Sequence, residues 1–333
     1  MIIVTGGAGF IGSNLVAGLE EMGAQNIVVC DWLEDGDKWK NIAKRELRDI
    51  VFPEDLFPYL DKNANKIDII FHMGAISSTT ETDVDLIIRS NVNLSRALWQ
   101  WCADHNARFI YASSGATYGD GSQGFDDFET PEKLARLKPL NPYGWSKHLF
   151  DRRVSRIIYD NKAKHPESKP PQWAGLKFFN VYGPNEYHKG DMMSVICRLY
   201  PQIAHGAPAK LFKSYKAEYE HGGQMRDFVY IDDCVSIMLW LYENPQVSGL
   251  FNIGSGKART FSDLIKATFT AANIKPNIKF IEMPDSLRDK YQYFTEANIS
   301  KLRDAGYNKP LIELEDGIEK YLTSFMACED KYR

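Results

Sequence analysis

Tyr143 and Lys147, in the run Tyr143-Gly144-Trp145-Ser146-Lys147, are four residues apart, so a helix there sets a phenol and an ammonium on one face. A free phenol, with a pKa near about 10, is a poor base at neutral pH, whereas a neighbouring cation favours the phenolate and draws it towards acid–base work. Tyrosine and lysine at this spacing occur in many helices, and alone they specify little. Upstream, Ala112-Ser113-Ser114-Gly115-Ala116-Thr117-Tyr118-Gly119 begins where a short apolar run ends. Ser114 is then placed to hydrogen-bond an oxygen whose carbon loses or gains hydride, complementing Tyr143.

A hydride acceptor needs a seat, and Thr5-Gly6-Gly7-Ala8-Gly9-Phe10-Ile11-Gly12 supplies the pattern of one. Gly6 permits a tight turn, Gly9 lets the backbone approach a pyrophosphate, and Gly12 lets strand and helix pack closely, with the helix amino end favouring negative charge. Asp31, about 20 residues further on, can accept hydrogen bonds from adenosine ribose hydroxyls, which points to NAD. Lys38, Lys44 and Arg45 follow, and a cation there neutralises a 2′-phosphate, so NADP stays open.

The elements that would hold these groups alternate. Ile2 to Val4, Ile27 to Cys30, Ile69 to His72 and Phe109 to Ala112 read as buried strands, with helical stretches at Gly12 to Met22 and Asp83 to His105 between them. The expected fold class is α/β, a doubly wound parallel Rossmann sheet with a smaller, interleaved C-terminal substrate domain. Lys169-Pro170-Pro171 breaks the pattern, giving a dinucleotide-binding domain over 1–170 and a mainly substrate-binding domain over 171–333. Phe228 to Ile231 and Leu250 to Ile253 read as strands again, so segments near 226–256 are expected to return to the first sheet.

The 333 residues carry a net charge of −4 without a basic stripe, which argues against nucleic-acid binding. No apolar run reaches the roughly 18 residues of a membrane span, and the start leaves no room for a signal peptide, so a cytoplasmic location is expected. Cys30, Cys102, Cys197, Cys234 and Cys328 lie far apart without C-x-x-C spacing; they read as reduced and structural, with no metal site.

The glycine turn, Ser113-Ser114 and Tyr143/Lys147 together resemble the extended short-chain dehydrogenases/reductases. Gly74-Ala75-Ile76-Ser77-Ser78-Thr79-Thr80-Glu81, Phe179-Asn180-Val181-Tyr182-Gly183-Pro184, His188-Lys189-Gly190, Arg226-Asp227-Phe228-Val229-Tyr230 and Tyr291-Gln292 extend the likeness, over nearly the whole chain, to the ADP-glyceromanno-heptose 6-epimerase family. That resemblance implies an isomerase that removes hydride from C6 of an ADP-heptose and returns it to the opposite face, in lipopolysaccharide inner-core synthesis. It implies Tyr143 and Lys189 as the two acid/bases, with Ser114 and Lys147 supporting. Lys189 by itself is a lysine in a polar, glycine-bearing loop. The resemblance also implies a tightly bound, recycled cofactor, by family habit NADP, and a homo-oligomer, a pentamer.

Cofactor contacts implied in the same way are Gly6, Gly9, Phe10, Ile11 and Gly12 at the phosphate turn, Asp31, Trp32 and Lys38 around the adenosine, and Met73, Gly74, Ala75, Ile76 and Ser77 after the strand, with Asn91, Lys147 and Val181. Implied substrate contacts are Ser114, Asn180, Lys189, Asp191, Arg198, Phe212, Lys213, Ser214, Tyr215, Arg226 and Tyr291. Arg226 has its own rationale, since a guanidinium grips a diphosphate with paired hydrogen bonds; the competing reading is a salt bridge with Asp227. Trp32, Asp191 and Arg198 depart from the family pattern, and residues 216–224 form a lengthened, exposed loop. A dehydratase is disfavoured because Gly115-Ala116, not carboxylates, follow Ser114. A hexose 4-epimerase would not need His188-Lys189-Gly190, and a silent dinucleotide-binding regulator would not need Tyr143, Lys147 and Ser114.

Overall fold

The computed structural model describes residues 1–159, 168–288 and 291–333. Along the chain the strands are β1 (Ile2–Thr5), β2 (Ile27–Cys30), β3 (Asp49–Val51), β4 (Ile69–His72), β5 (Arg108–Ser114), β6 (Trp173–Phe178), β7 (Asn180–Tyr182), β8 (Ala209–Phe212), β9 (Met225–Tyr230), β10 (Gly249–Ile253), β11 (Ala258–Thr260) and β12 (Ile278–Ile281). Among the described residues, one sheet in the order β10-β6-β5-β4-β1-β2-β3 is parallel throughout. Every residue of β1, β2, β4, β6 and β10 is buried, as a sheet covered by helices on both faces requires. Ile2 and Val4 feed one apolar cluster and Ile3 the other, the period-two split of a pleated strand.

Strand order reverses between β1 and β4, which opens a crevice beyond their carboxyl ends. Gly6 turns there with φ +65°, and a Cβ on it would stand 2.5 Å from the Gly74 backbone of the neighbouring loop. Helix Phe10–Glu21 leaves this turn and packs against helix Ile231–Glu243.

The expected return to the first sheet happens differently from the sequence reading. β6 and β10 join the large sheet, whereas β9, which contains Phe228 to Tyr230, pairs with β7 and β11 in a separate three-stranded sheet. The difference follows from Asp227, which lies in β9 beside β11 and takes no ion pair from its neighbour Arg226 among the described residues. Asp227 accepts from the N–H groups of Ser255, Gly256 and Ala297 instead. β8 and β12 form a parallel pair beneath helices Val195–Ala204 and Phe261–Ala271, around a small core of Ile203, Leu211, Ile265 and Phe269. No helix among the described residues is long and apolar enough to cross a membrane.

The tightest point of the turn is Gly12, where a Cβ would lie 2.1 Å from the Gly6 carbonyl oxygen. Gly12→Ala is expected to lower stability by at least about 1–3 kcal/mol and to release bound dinucleotide; denaturant titration and the nucleotide content of the purified protein check both effects.

Candidate active site

The crevice continues into a cleft of about 1070 Å³ between the sheet and the second region. At its dinucleotide end, Gly6, Gly9, Phe10, Ile11 and Gly12 line the wall. Helix Phe10–Glu21 has no side-chain cap at Gly9, so its amino end is available to a phosphate. Asp31 accepts from the Ala8 N–H at 3.0 Å and from Lys38 at 2.8 Å, and Lys38 also donates to the Trp32 carbonyl at 2.7 Å. Carboxylate and ammonium thus stand side by side at the adenosine end. The glycine crowding and the uncapped helix fit a nicotinamide dinucleotide.

Deeper in the cleft, helix Pro142–Tyr159 brings Tyr143 and Lys147 beside Ser114 at the end of β5. Lys147 is only 4% exposed and makes no hydrogen bond or ion pair with any described residue. Burial pushes its ammonium down to about 8. Burial also raises the Tyr143 phenol, opposed by the Ser114 hydroxyl and reinforced by the Asp151 carboxylate. The sign is opposite to the sequence expectation: desolvation of the phenolate is the largest influence on Tyr143.

Lys189 reaches the same cleft from the loop after β7, with its ammonium 4.9 Å from the centre of the Phe10 ring. Burial lowers its pKa, and the charge of Glu186 opposes the shift. Glu186 is buried and accepts from the Ser194 hydroxyl at 2.8 Å and from Tyr321 at 3.2 Å, so it anchors the loop that presents Lys189. His188 is held to about 4 by burial and by Lys38 and Lys189, which leaves it neutral at ordinary pH. At the substrate end Arg226, 8% exposed, lies 5.2 Å from the Tyr291 ring and 5.7 Å from Phe261. Its guanidinium donates to the Met225 carbonyl and forms no ion pair with a described residue; Asp227 is turned to backbone amides, so the competing salt bridge does not form.

Met73, Gly74, Ala75, Ser77, Asn180, Val181, Asp191 and Tyr291 also line the cleft. Trp32, Ile76, Asn91, Arg198 and Phe212 to Tyr215 are not on its wall. Trp32 is exposed and donates to Glu54. The Asn91 carboxamide clamps the Ile76 backbone at 2.8 and 2.9 Å and donates to Ser146 at 3.0 Å, tying the Met73–Ser77 loop to the Tyr143 helix. It sits in a π-turn, Ile88–Asn93, within the stretch read as one helix. Arg198 is exposed, Phe212 packs edge-on against Tyr291, Ser214 donates its N–H to His221, and Lys213 and Tyr215 both engage Glu282. In the loop after Tyr215, residues 216–218, 220 and 221 are exposed, but Gly222 and Gln224 are buried, so the expected exposure of 216–224 holds only for its first part; Gln224 turns inward to donate to the Lys213 carbonyl. Gln292 and the segment 79–82 also line the cleft; Thr79, Thr80, Glu81 and Gln292 stand in the motifs that carry the family resemblance, yet the resemblance assigns none of them a contact.

Residues 2–254 match the family described as NAD dependent epimerase/dehydratase. Over 335 residues, spanning all of both chains, the sequence is 50% identical to the ADP-L-glycero-D-manno-heptose-6-epimerase of Nitratidesulfovibrio vulgaris, and over 340 residues, again spanning both chains, 48% identical to that of Fusobacterium nucleatum. The fold is similar to the crystal structure of the Helicobacter pylori enzyme of the same name, with a TM-score of 0.77, 28% identity and coverage of 98% of this chain and 96% of that one.

Because the Lys147 ammonium is held near 8 and has no partner within the described protein, its charge is there for a ligand to use. Dinucleotide affinity is expected to be highest below that value and to fall as pH rises through about 8. Binding titrations across this range check it, and Lys147→Met should bind more weakly and lose the step.

Proposed function

The chain belongs to the NAD dependent epimerase/dehydratase family, and from that premise we propose that it inverts C6 of ADP-D-glycero-β-D-manno-heptose to give ADP-L-glycero-β-D-manno-heptose, a lipopolysaccharide inner-core precursor. The observation that carries this reading is that Tyr143 and Lys189, from different segments, line one cleft that also holds Arg226. Inversion at a carbinol carbon moves its oxygen from one side to the other, so one proton-handling group cannot be well placed for both arrangements. Two groups on separate loops meet that requirement.

A nicotinamide dinucleotide held by the glycine turn, Asp31 and Lys147 would supply the chemistry of taking a hydride from C6 and giving it back. Ser114 orients the C6 hydroxyl, and Tyr143 or Lys189 takes its proton as the carbonyl forms. After the carbonyl turns, the other group returns a proton to the oxygen as the opposite face is reduced. Lys147 holds ribose hydroxyls and keeps positive charge beside the phenol. Arg226, buried without a carboxylate, binds the diphosphate. For the resident cofactor we assign NADP: Lys38 brings a cation to Asp31, which offsets the repulsion a 2′-phosphate would meet there. Assembly as a homo-oligomer belongs to the same reading.

Incubating the protein with either ADP-heptose, without added oxidant, should give a mixture of both on chromatography. Recovery of unchanged ADP-heptose alongside epimerisation of a UDP-hexose would refute the assignment. Tyr143→Phe and Lys189→Met should each lower turnover by about 10²-fold or more while retaining the cofactor, and a fully active double variant would overturn the two-group scheme. Mass analysis of the released nucleotide tests the NADP assignment.

A further inference from the structure

Behind the Ser114–Tyr143 wall lies an ion pair wholly removed from solvent. Lys177 of β6 donates to Asp151 at 2.8 Å, and both side chains have zero exposure. Asp151 also accepts from the Ser113 hydroxyl at 2.7 Å and the Tyr111 phenol at 3.0 Å, while Lys177 donates to the Thr117 hydroxyl at 2.7 Å and sits 4.9 Å from the Tyr118 ring. Each partner belongs to an element that presents a reacting group. Ser113 precedes Ser114, Thr117 lies in the short helix Gly115–Tyr118 that Ser114 caps, and Asp151 follows Lys147 by one helical turn and Tyr143 by two.

A pair buried so completely is a poor device for stability alone, because desolvating two charges cancels most of their attraction, and an apolar pair of similar volume often does as well. Its placement has a second consequence. Asp151 is the anion whose charge acts on both Tyr143 and Lys147 and favours the proton on each. The other titratable groups packed around the cluster are His72 of β4, which feels Lys147, and His148 on the helix itself, which feels Asp151, Lys177 and Arg152. Both rings are depressed by burial, to about 3 and about 4, and stay neutral through the working range. Towards the far side, Asp127 feels Lys177, and Glu129 acts on Tyr111.

We propose that Asp151, locked by Lys177, is a positioning residue of the active site: it fixes Ser114 against Tyr143 and sets a negative charge one helical turn from Lys147. This rests on the epimerase reading only for the turnover measurement. The dinucleotide-binding measurement stands without it.

The experiment compares the full-length protein with Asp151→Asn and with the double variant Asp151→Asn/Lys177→Met, in which no buried charge is left unpaired. The readouts are the pH midpoint at which dinucleotide affinity falls and the pH dependence of ADP-heptose turnover. Asp151→Asn should move the binding midpoint down by about one pH unit and shift the alkaline limb of turnover the same way, whereas the double variant, which removes both charges of the pair, should stay closer to the wild-type midpoint while turnover falls through loss of the Ser114 placement. The double variant should recover the stability that the single one loses. A folded Asp151→Asn variant with the wild-type midpoint, or a folded double variant with wild-type turnover, would overturn the proposal and reduce the pair to a packing element. If the single variant fails to fold, the double variant decides. If wild type binds dinucleotide with the expected step but turns over no ADP-heptose, the substrate reading fails and the binding midpoint still tests Asp151.

Discussion

Positive charge without an ion-pair partner among the described residues, held largely buried along the cleft, is the constraint on which the rest of this architecture depends. Lys147 and Arg226 are 4% and 8% exposed, Lys189 is partly buried, and none of the three forms an ion pair with a described residue. For Lys147 the displacement from 10.5 to about 8 corresponds to about 3 kcal/mol against the charged form. A folded protein keeps such a cost where a ligand offsets it. The phosphates and hydroxyls of the proposed dinucleotide and nucleotide-sugar would meet these positions, and the uncapped helix at Gly9 adds a fourth positive feature.

The scaffold holds those groups at fixed separations by using polar side chains as ties between elements. Asn91 joins the loop after β4 to the Tyr143 helix, Glu186 anchors the segment carrying Lys189, and the Asn41 amide donates to the Ala8 and Asn185 carbonyls. The glycine turn is therefore braced from both sides of the cleft. These ties are buried and satisfied, so they specify geometry more than they add stability.

Local features were legible in the sequence. The glycine turn, the phenol–ammonium spacing and the serine at a strand end are set by contacts within a few residues, and the parallel sheet follows from alternating buried strands. Tertiary consequences were not. The direction of the Tyr143 shift depends on burial that only the assembled cleft creates, and the strand at Met225–Tyr230 joins a small sheet because of where Asp227 finds its amides. Phe212 to Tyr215 read as substrate contacts, yet Lys213 and Tyr215 turn to Glu282, a partner almost seventy residues away that no spacing rule reveals. Asp151 stood one turn beyond Lys147 throughout, but its meaning required Lys177 from another strand.

The central claim is that hydride leaves one carbon and returns to that same carbon within the one cleft that Tyr143 and Lys189 line. ADP-heptose carrying deuterium at C6, converted in ordinary water and analysed by mass spectrometry, tests it directly. The account predicts product that keeps the deuterium at C6. Replacement of that label by solvent hydrogen in the epimerised product would mean proton abstraction at carbon, and would contradict it.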